Sequence, residues 1–331
     1  MNWRAGRSCD SPAPLSKRGI EPVSTVNQPA TSSIEHVTVV RQNAGRRLLG
    51  SVTPYLFLIP ALALVGILML YPFARSAFLS FTDYKGIGTA NWVGLENYRH
   101  LAKDPVLSRT LTNTMLWVIG TLILPVGLGL LIAVLSYNAK AGSIFRLAFL
   151  IPYALSGTAI ATVWQFMLVR DGALNSVLEA VGLGSLARPW LLTPPLNTWA
   201  MIVASTWQAV GVSVLLFIIG LQVIPPEPIQ AARLDGADGW RLFRDMTLPM
   251  LMPMTIVVVG ISLVNSLKTF DIVWIMTQGG PYRSSETLAV MMYRETFVLF
   301  RHGYGAAIAV MLSVIVFAVS LIYLSRTLRD T

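Results

Sequence analysis

Gln230-Ala231-Ala232-Arg233-Leu234-Asp235-Gly236, followed by Met246-Thr247-Leu248-Pro249, is a polar, charged stretch set between two long apolar runs. Such a loop lies in water beside a membrane, because charge is costly in hydrocarbon. Pro225 and Pro226 end the preceding run, and Pro228 suits a first helical turn, where a missing N–H does no harm. Residues 227–235 then make about two turns of helix. Asp235 falls at its end, where the helix dipole disfavours an acid, so pairing with Arg241 or Arg244 is expected. Gly236 permits a left-handed bend, Asp238 suits the N-cap of a second short helix, and Pro249 closes that helix before the next run. Ala231 and Ala232 offer a smooth face to another protein's backbone, with Arg233, Asp235 and Arg241 around it. Without further context the same stretch would serve as an amphipathic connector lying on lipid headgroups.

Outward from this loop the chain holds six apolar stretches, at about 52–79, 111–137, 145–169, 198–222, 251–277 and 304–325. Each is near the ~20 residues that cross a bilayer. Pro60, Pro72, Pro125 and Pro152 interrupt several of them, which membrane helices tolerate where neighbours satisfy the freed carbonyl. Residues 56–70 carry no polar face, which excludes a soluble bundle. Composition agrees: 12% of the 331 residues are charged and 54% hydrophobic, against about 25% charged in soluble domains, and mean hydropathy is +0.62. The net charge of +9 comes from singly placed Arg and Lys. This reads as anchoring at anionic headgroups, not as a nucleic-acid surface. The lone Cys9 excludes an internal disulfide or a cysteine-based zinc site, and His36, His100 and His302 are too scattered to hold a metal.

The fold class is therefore an all-α integral membrane protein with six transmembrane helices over residues 48–331. Residues 1–47, rich in Ser, Thr, Pro, Asn and Arg, read as a disordered cytoplasmic tail. No apolar core follows Arg4 and Arg7, so the tail is not a signal peptide. Arg41, Arg46 and Arg47 favour a cytoplasmic N-terminus, and six spans return the C-terminus to the same side. Lys85, Arg99, Lys103 and Arg109 in the first outside loop blunt that charge asymmetry.

Two adjacent alanines, a glycine four positions after the second, nine intervening residues and an apolar-x-Leu-Pro ending resemble the EAA loop of ABC-importer permeases of type I fold. The resemblance implies coupling helices at 227–249 that dock on an ATPase through Gln230, Ala231, Ala232, Arg233, Asp235, Gly236, Leu248 and Pro249. It also places the loop in the cytoplasm, where ATP is. The family usually has Glu where this chain has Gln230, and Ile or Val where it has Met246. A salt bridge from position 230 to an ATPase arginine is therefore not expected. Ser80-Phe81-Thr82-Asp83-Tyr84, Val93-Gly94-Leu95-Glu96-Asn97-Tyr98, Asn113-Thr114, Phe270-Asp271 and Thr277-Gln278-Gly279-Gly280-Pro281 are similar to the maltose-type sugar branch. That branch implies a second permease subunit, two copies of an ATPase subunit carrying the ATP and Mg, and an extracytoplasmic solute-binding protein. It further implies a bacterial inner membrane and a sugar or related polyol as cargo.

Ser262, Asn265, Ser266 and Thr269 follow the i, i+3, i+4, i+7 spacing of one helical face. Thr158, Thr162 and Gln165 do so in the third span, and Ser205 with Gln208 adds a smaller patch in the fourth. Uncharged hydroxyls and amides suit a neutral polyol, and Trp164, Trp207 and Trp274 suit a sugar ring's apolar face. The same residues also suit helix–helix hydrogen bonding and interfacial anchoring. Lys268 and Asp271, three apart, are expected to form a structural ion pair, with Asp271 on the side away from the Ser262 stripe. Were the cargo anionic, such as a glycerol phosphate, Lys268 would be its first contact. The chain has no Gly-x-x-x-x-Gly-Lys-[Ser/Thr] segment and so binds no ATP itself. Neither a metal site nor a catalytic constellation stands beside a span. A stand-alone secondary transporter, the alternative, would show broken helices and a mid-membrane carboxylate.

Overall fold

Backbone groups in hydrocarbon must be satisfied within the chain, and the long apolar runs accomplish this as helices. The computed structural model describes residues 58–137, 139 and 142–330. The tail at 1–47 and the start of the first span at 52–57 lie outside the described residues. Among those described there is no strand, only an isolated bridge between Thr82 and Trp92.

Four helices are long and apolar enough to cross a membrane unbroken: α1 (Leu58–Leu79), α3 (Pro105–Tyr137), α7 (Leu196–Val223) and α13 (His302–Asp330, apolar over His302–Thr327). Helix α2 (Glu96–Lys103) lies between the first two. The third span is bent and the fifth is broken, unlike the single helices expected from sequence; by length and composition the spans number up to six if each bent pair counts as one. In the third, α4 (Gly142–Tyr153) stops just after Pro152, and α5 (Gly157–Leu168) restarts where Ser156 accepts a hydrogen bond from Ala159 N at 3.2 Å. The segments Arg146–Tyr153 and Gly157–Ala180, the latter including α6 (Ala173–Ala180), meet at 102°. Proline followed by a serine N-cap is a stop and a start in sequence. Pro125, by contrast, sits inside α3 without ending it.

After α7 come α8 (Pro226–Leu234) and α9 (Gly239–Met250), which meets α10 (Met252–Leu267) at 71°. Helix α10 ends at Leu267, and α11 (Asp271–Thr277) begins three residues past Lys268. The loop beyond carries α12 (Leu288–Tyr293), continued as a π turn over Arg294–Val298.

Helices α3 and α7 form the centre. At Gly129 their backbones come so close that a Cβ would lie 2.4 Å from the Ser213 Cβ, the approach that small residues allow in membranes. Val126, Val214, Phe217, Leu251 and Val258 fill one buried cluster; Trp117, Met201, Ile202, Val273 and Met276 fill another. The apolar residues of α1 remain uncovered, with Ile67 65% and Leu68 68% exposed. An apolar surface of this kind suits lipid or a partner helix.

Side-chain amides tie the loops at the end of the molecule away from α8 and α9. Asn97 donates to the carbonyls of Ser80 at 2.9 Å and Thr82 at 2.8 Å. Asn113 donates to the carbonyls of Ser284 at 2.8 Å and Glu286 at 3.1 Å. The motifs at 80–84 and 93–98 thus meet as hydrogen-bond partners, and Asn113 joins α3 to the loop after α11.

Candidate functional site: a cavity at a helix break and a capped loop

The break between α10 and α11 opens a cavity of about 380 Å³, within the roughly 300–1,000 Å³ of small-molecule sites. Ser262, Asn265, Ser266 and Thr269 all line it, so the helical stripe read from sequence is one wall. Gln208 and Ser205 line it from α7. Gln208 is also structural, since its amide donates to the Leu155 carbonyl at 2.7 Å and so satisfies a group left free by the break in the third span.

Several sequence expectations change in the folded chain. Gln165 does not reach the cavity; it lines a separate depression of about 300 Å³ with Thr277 and Gly280, because the 102° bend turns α5 away. Trp164 and Trp207 stack edge to face on each other at 6.0 Å, and Trp274 lies under Arg294 and against Phe270, so none of the three lines the cavity. Trp117, which no local sequence signal marks, does line it, and its buried indole N–H has no partner among the described residues. The signal was its position in the second span opposite the stripe, visible only once α3 packs on α7.

Lys268 and Asp271 also depart from expectation. No ion pair joins them, and both line the cavity beside the Ser262 stripe. The i, i+3 arithmetic assumed an unbroken helix, whereas Lys268 is the C-cap of α10 and Asp271 opens α11. Each charge therefore sits at a helix end of opposite sign: the cation at a C-terminus, the acid at an N-terminus. Asp271 meets a second N-terminus as well, since a Cβ on Gly157 would lie 3.4 Å from its Oδ2.

In the polar loop, Gly236 stands at φ +83°. Gly236 N donates to Arg233 O at 3.1 Å and Ala237 N to Ala232 O at 2.9 Å, which together close α8 as a Schellman cap. Asp238 caps α9 through Gly239 N at 2.8 Å. Asp235 pairs with neither Arg241 nor Arg244, contrary to expectation; Arg244 is held by its neighbour Asp245 at 2.8 Å. Gln230 and Arg233 line a cleft of about 410 Å³ between the loop and the ends of α3 and α7. Ala231, Asp235 and Gly236 are exposed, Leu248 is half-buried and Pro249 is exposed. The most prominent apolar groups were not singled out by sequence: Leu234 is 90% and Trp240 70% exposed. The available signal was large apolar residues inside a polar loop.

At the opposite end a charge network closes the 278–301 loop. Glu286, fully buried, pairs with Arg283 and with Arg294 Nε at 3.4 Å. Glu295 takes Arg283 and Arg301, each at 3.5 Å. Burial pushes the Glu295 carboxyl above its ordinary range, while Arg283 and Arg301 pull it down. Burial works against the Arg283 charge too, but the hydrogen bond and charge of Glu286 outweigh it and hold the guanidinium above its usual value.

Among the described residues no group of three or more His, Cys, Asp or Glu is placed to hold a metal. Broken spans, a mark of secondary transporters, occur in this chain without deciding its class.

Comparison with known proteins decides it. A probable ABC transporter permease protein of Pyrococcus horikoshii is 37% identical over 280 residues, covering 82% of this chain and 94% of that protein. The sulfoquinovosyl glycerol transport system permease protein SmoG of Agrobacterium fabrum is 34% identical over 278 residues, covering 81% and 88%. The multiple sugar-binding transport system permease protein MsmF of Streptococcus mutans is 32% identical over 279 residues, covering 84% and 96%. The fold is that of a solved bacterial ABC transporter involved in the import of alginate, with a TM-score of 0.77 at 19% identity over 86% of this chain and 99% of that one. Residues 125–326 match the binding-protein-dependent transport system inner membrane component family, from the proline inside α3 to the end of the last span. The chain belongs to that family: it is a permease subunit of an ABC importer, an integral membrane transport protein and not an enzyme.

Proposed function

We propose that this permease carries a sugar or related polyol, delivered by an extracytoplasmic solute-binding protein, through the cavity at the α10–α11 break. The observation that carries the reading is the composition of that cavity: Ser262, Asn265, Ser266 and Thr269 present hydroxyl and amide groups along one wall. Such groups match a solute with many donors and acceptors. A relative whose name specifies multiple sugars supports the same class.

In this reading the loop at 227–249 docks on an ATPase subunit that holds the ATP and Mg. The exposed Leu234 and Trp240 add apolar anchors to the Ala231–Ala232 face. A second permease subunit completes the path, two ATPase copies drive it, and both termini lie in the cytoplasm of a bacterial cell.

A second cargo, glycerol phosphate or another charged polyol derivative, is favoured by one observation: Lys268 stands on the cavity wall. Reconstitution with the ATPase and binding protein in proteoliposomes tests the function. ATP-dependent uptake of a labelled sugar or polyol is expected. Uptake of an amino acid or an ion, with none of any sugar or polyol, would overturn the reading.

A further inference from the structure

We infer that Lys268 and Asp271 are direct solute contacts and that together they select a net-neutral polyhydroxy compound over an anionic one. This rests on the cavity being the solute path.

The two residues are the only Lys, Arg, Asp or Glu among the described residues that line the cavity. Both are exposed to it, and neither has a side-chain partner among the described residues. In a membrane protein a charge facing an internal cavity without a structural partner marks a functional group. Each group stands at a helix end of the complementary sign. Lys268 caps the C-terminus of α10, and Asp271 stands at the N-termini of α11 and, through Gly157, of α5. Opposed half-helices at a solute site are a recurring arrangement in transporters.

The chemistry follows from what each group offers. A carboxylate only accepts, and two neighbouring hydroxyls of a sugar can donate to its two oxygens. An ammonium only donates, and hydroxyl or ring oxygens accept from it. A polyhydroxy solute satisfies both groups at once. A phosphate or sulfonate would satisfy Lys268 but confront Asp271 across the same cavity. It would also surrender its hydration to a site whose charges already sum to zero. No arginine, the side chain best shaped for such anions, is among the lining residues.

The test uses the purified complex of permeases and ATPase in nanodiscs, without binding protein, so that affinity reports the membrane site. Maltose, trehalose and glucosylglycerol are the neutral probes; maltose 1-phosphate and trehalose 6-phosphate are the anionic ones, with binding read by saturation-transfer NMR. The wild type should bind at least one neutral probe about tenfold more tightly than either phosphate, the discrimination of one lost charged contact. Asp271→Asn, nearly isosteric, should weaken the neutral probe and strengthen the phosphates, a gain that misfolding cannot mimic. Lys268→Gln should weaken the neutral probe while the complex assembles in normal yield. Equal or tighter binding of phosphates by the wild type would overturn the selectivity. Unchanged neutral-probe affinity in both variants would overturn the contacts while leaving the sugar reading intact. Binding of no probe, with ATP-driven uptake of no sugar by the liposomes above, would remove the sugar reading and this inference with it.

Discussion

The carboxylate of Asp271 abuts Gly157, the first residue of α5: a Cβ built on that glycine would meet Oδ2 at 3.4 Å. This contact joins the broken third span to the start of α11 and aims a helix N-terminus at the acid. An alanine methyl fits at ordinary van der Waals distance, so Gly157→Ala should transport nearly as the wild type does. Gly157→Val adds branches that must displace the carboxylate. It should slow uptake several-fold with complex yield preserved, since overpacking costs about 1–3 kcal/mol. Uptake rates for the two variants, normalised to yield, decide the matter; equal rates would mean that the Asp271 position is irrelevant.

Gly236 offers a separate test of the coupling proposed for the 227–249 loop. No atom lies within 4 Å of where its Cβ would stand, so only its left-handed backbone restricts substitution. Gly236→Val should cost on the order of 1–3 kcal/mol locally and loosen the cap of α8. ATP hydrolysis should then lose its stimulation by transport substrate while membrane insertion persists. Gly236→Asn, a residue that tolerates this conformation, should restore most of it. Normal coupling in the valine variant would discard the two-helix mechanism.

Asn265 faces the cavity with its amide free of partners among the described residues. Asn265→Ala should weaken translocation by roughly 0.5–1.5 kcal/mol, the value of one hydrogen bond. Affinity of the isolated binding protein should not change, because it resides in another chain. A full transport rate in this variant would move the path elsewhere.

Glu286 is fully buried, while its partners Arg283 and Arg294 are 27% and 24% exposed. Glu286→Gln should destabilise the complex by about 2–3 kcal/mol, below the full cost of breaking a buried pair because the guanidiniums can still reach water. The readout is the temperature at which the detergent-solubilised complex aggregates. An unchanged temperature would show that Arg283 is held by Glu295 alone.

Topology can be read directly by labelling single cysteines after Cys9→Ser. Positions 89 and 282 should react from outside intact cells, and Tyr282 is 94% exposed. Positions 234 and 238 should react only after permeabilisation. Outside labelling at 234 would reverse the orientation and detach the loop from ATP.

The apolar runs, the polar loop and its spacing were legible residue by residue. A helix must be about 20 residues long to span the core, and a left-handed turn needs its glycine where Gly236 stands. Those are local requirements, so the spans, the capped α8 and the family pattern could all be read from the chain. The break after Pro152 had its local signs too, a proline and then Ser156, but proline alone does not separate it from the unbroken α3 around Pro125.

What only packing decided was where polar groups point. Helical arithmetic put Gln165 with the Ser262 stripe and Asp271 opposite it; in the folded chain Gln165 lies outside the cavity and Asp271 lines it, because the third span bends at 102° and the helix stops between Leu267 and Asp271. Gln208 found its partner in a carbonyl 53 residues away. Arg283, Glu286, Arg294, Glu295 and Arg301 were dispersed charges until the 278–301 loop folded back and buried two of the acids. Lys268 and Asp271 show the reason most plainly. Three residues apart on a continuous helix, opposite charges attract each other; at a break between two helices, each is held by a helix end, and both are left facing the cavity.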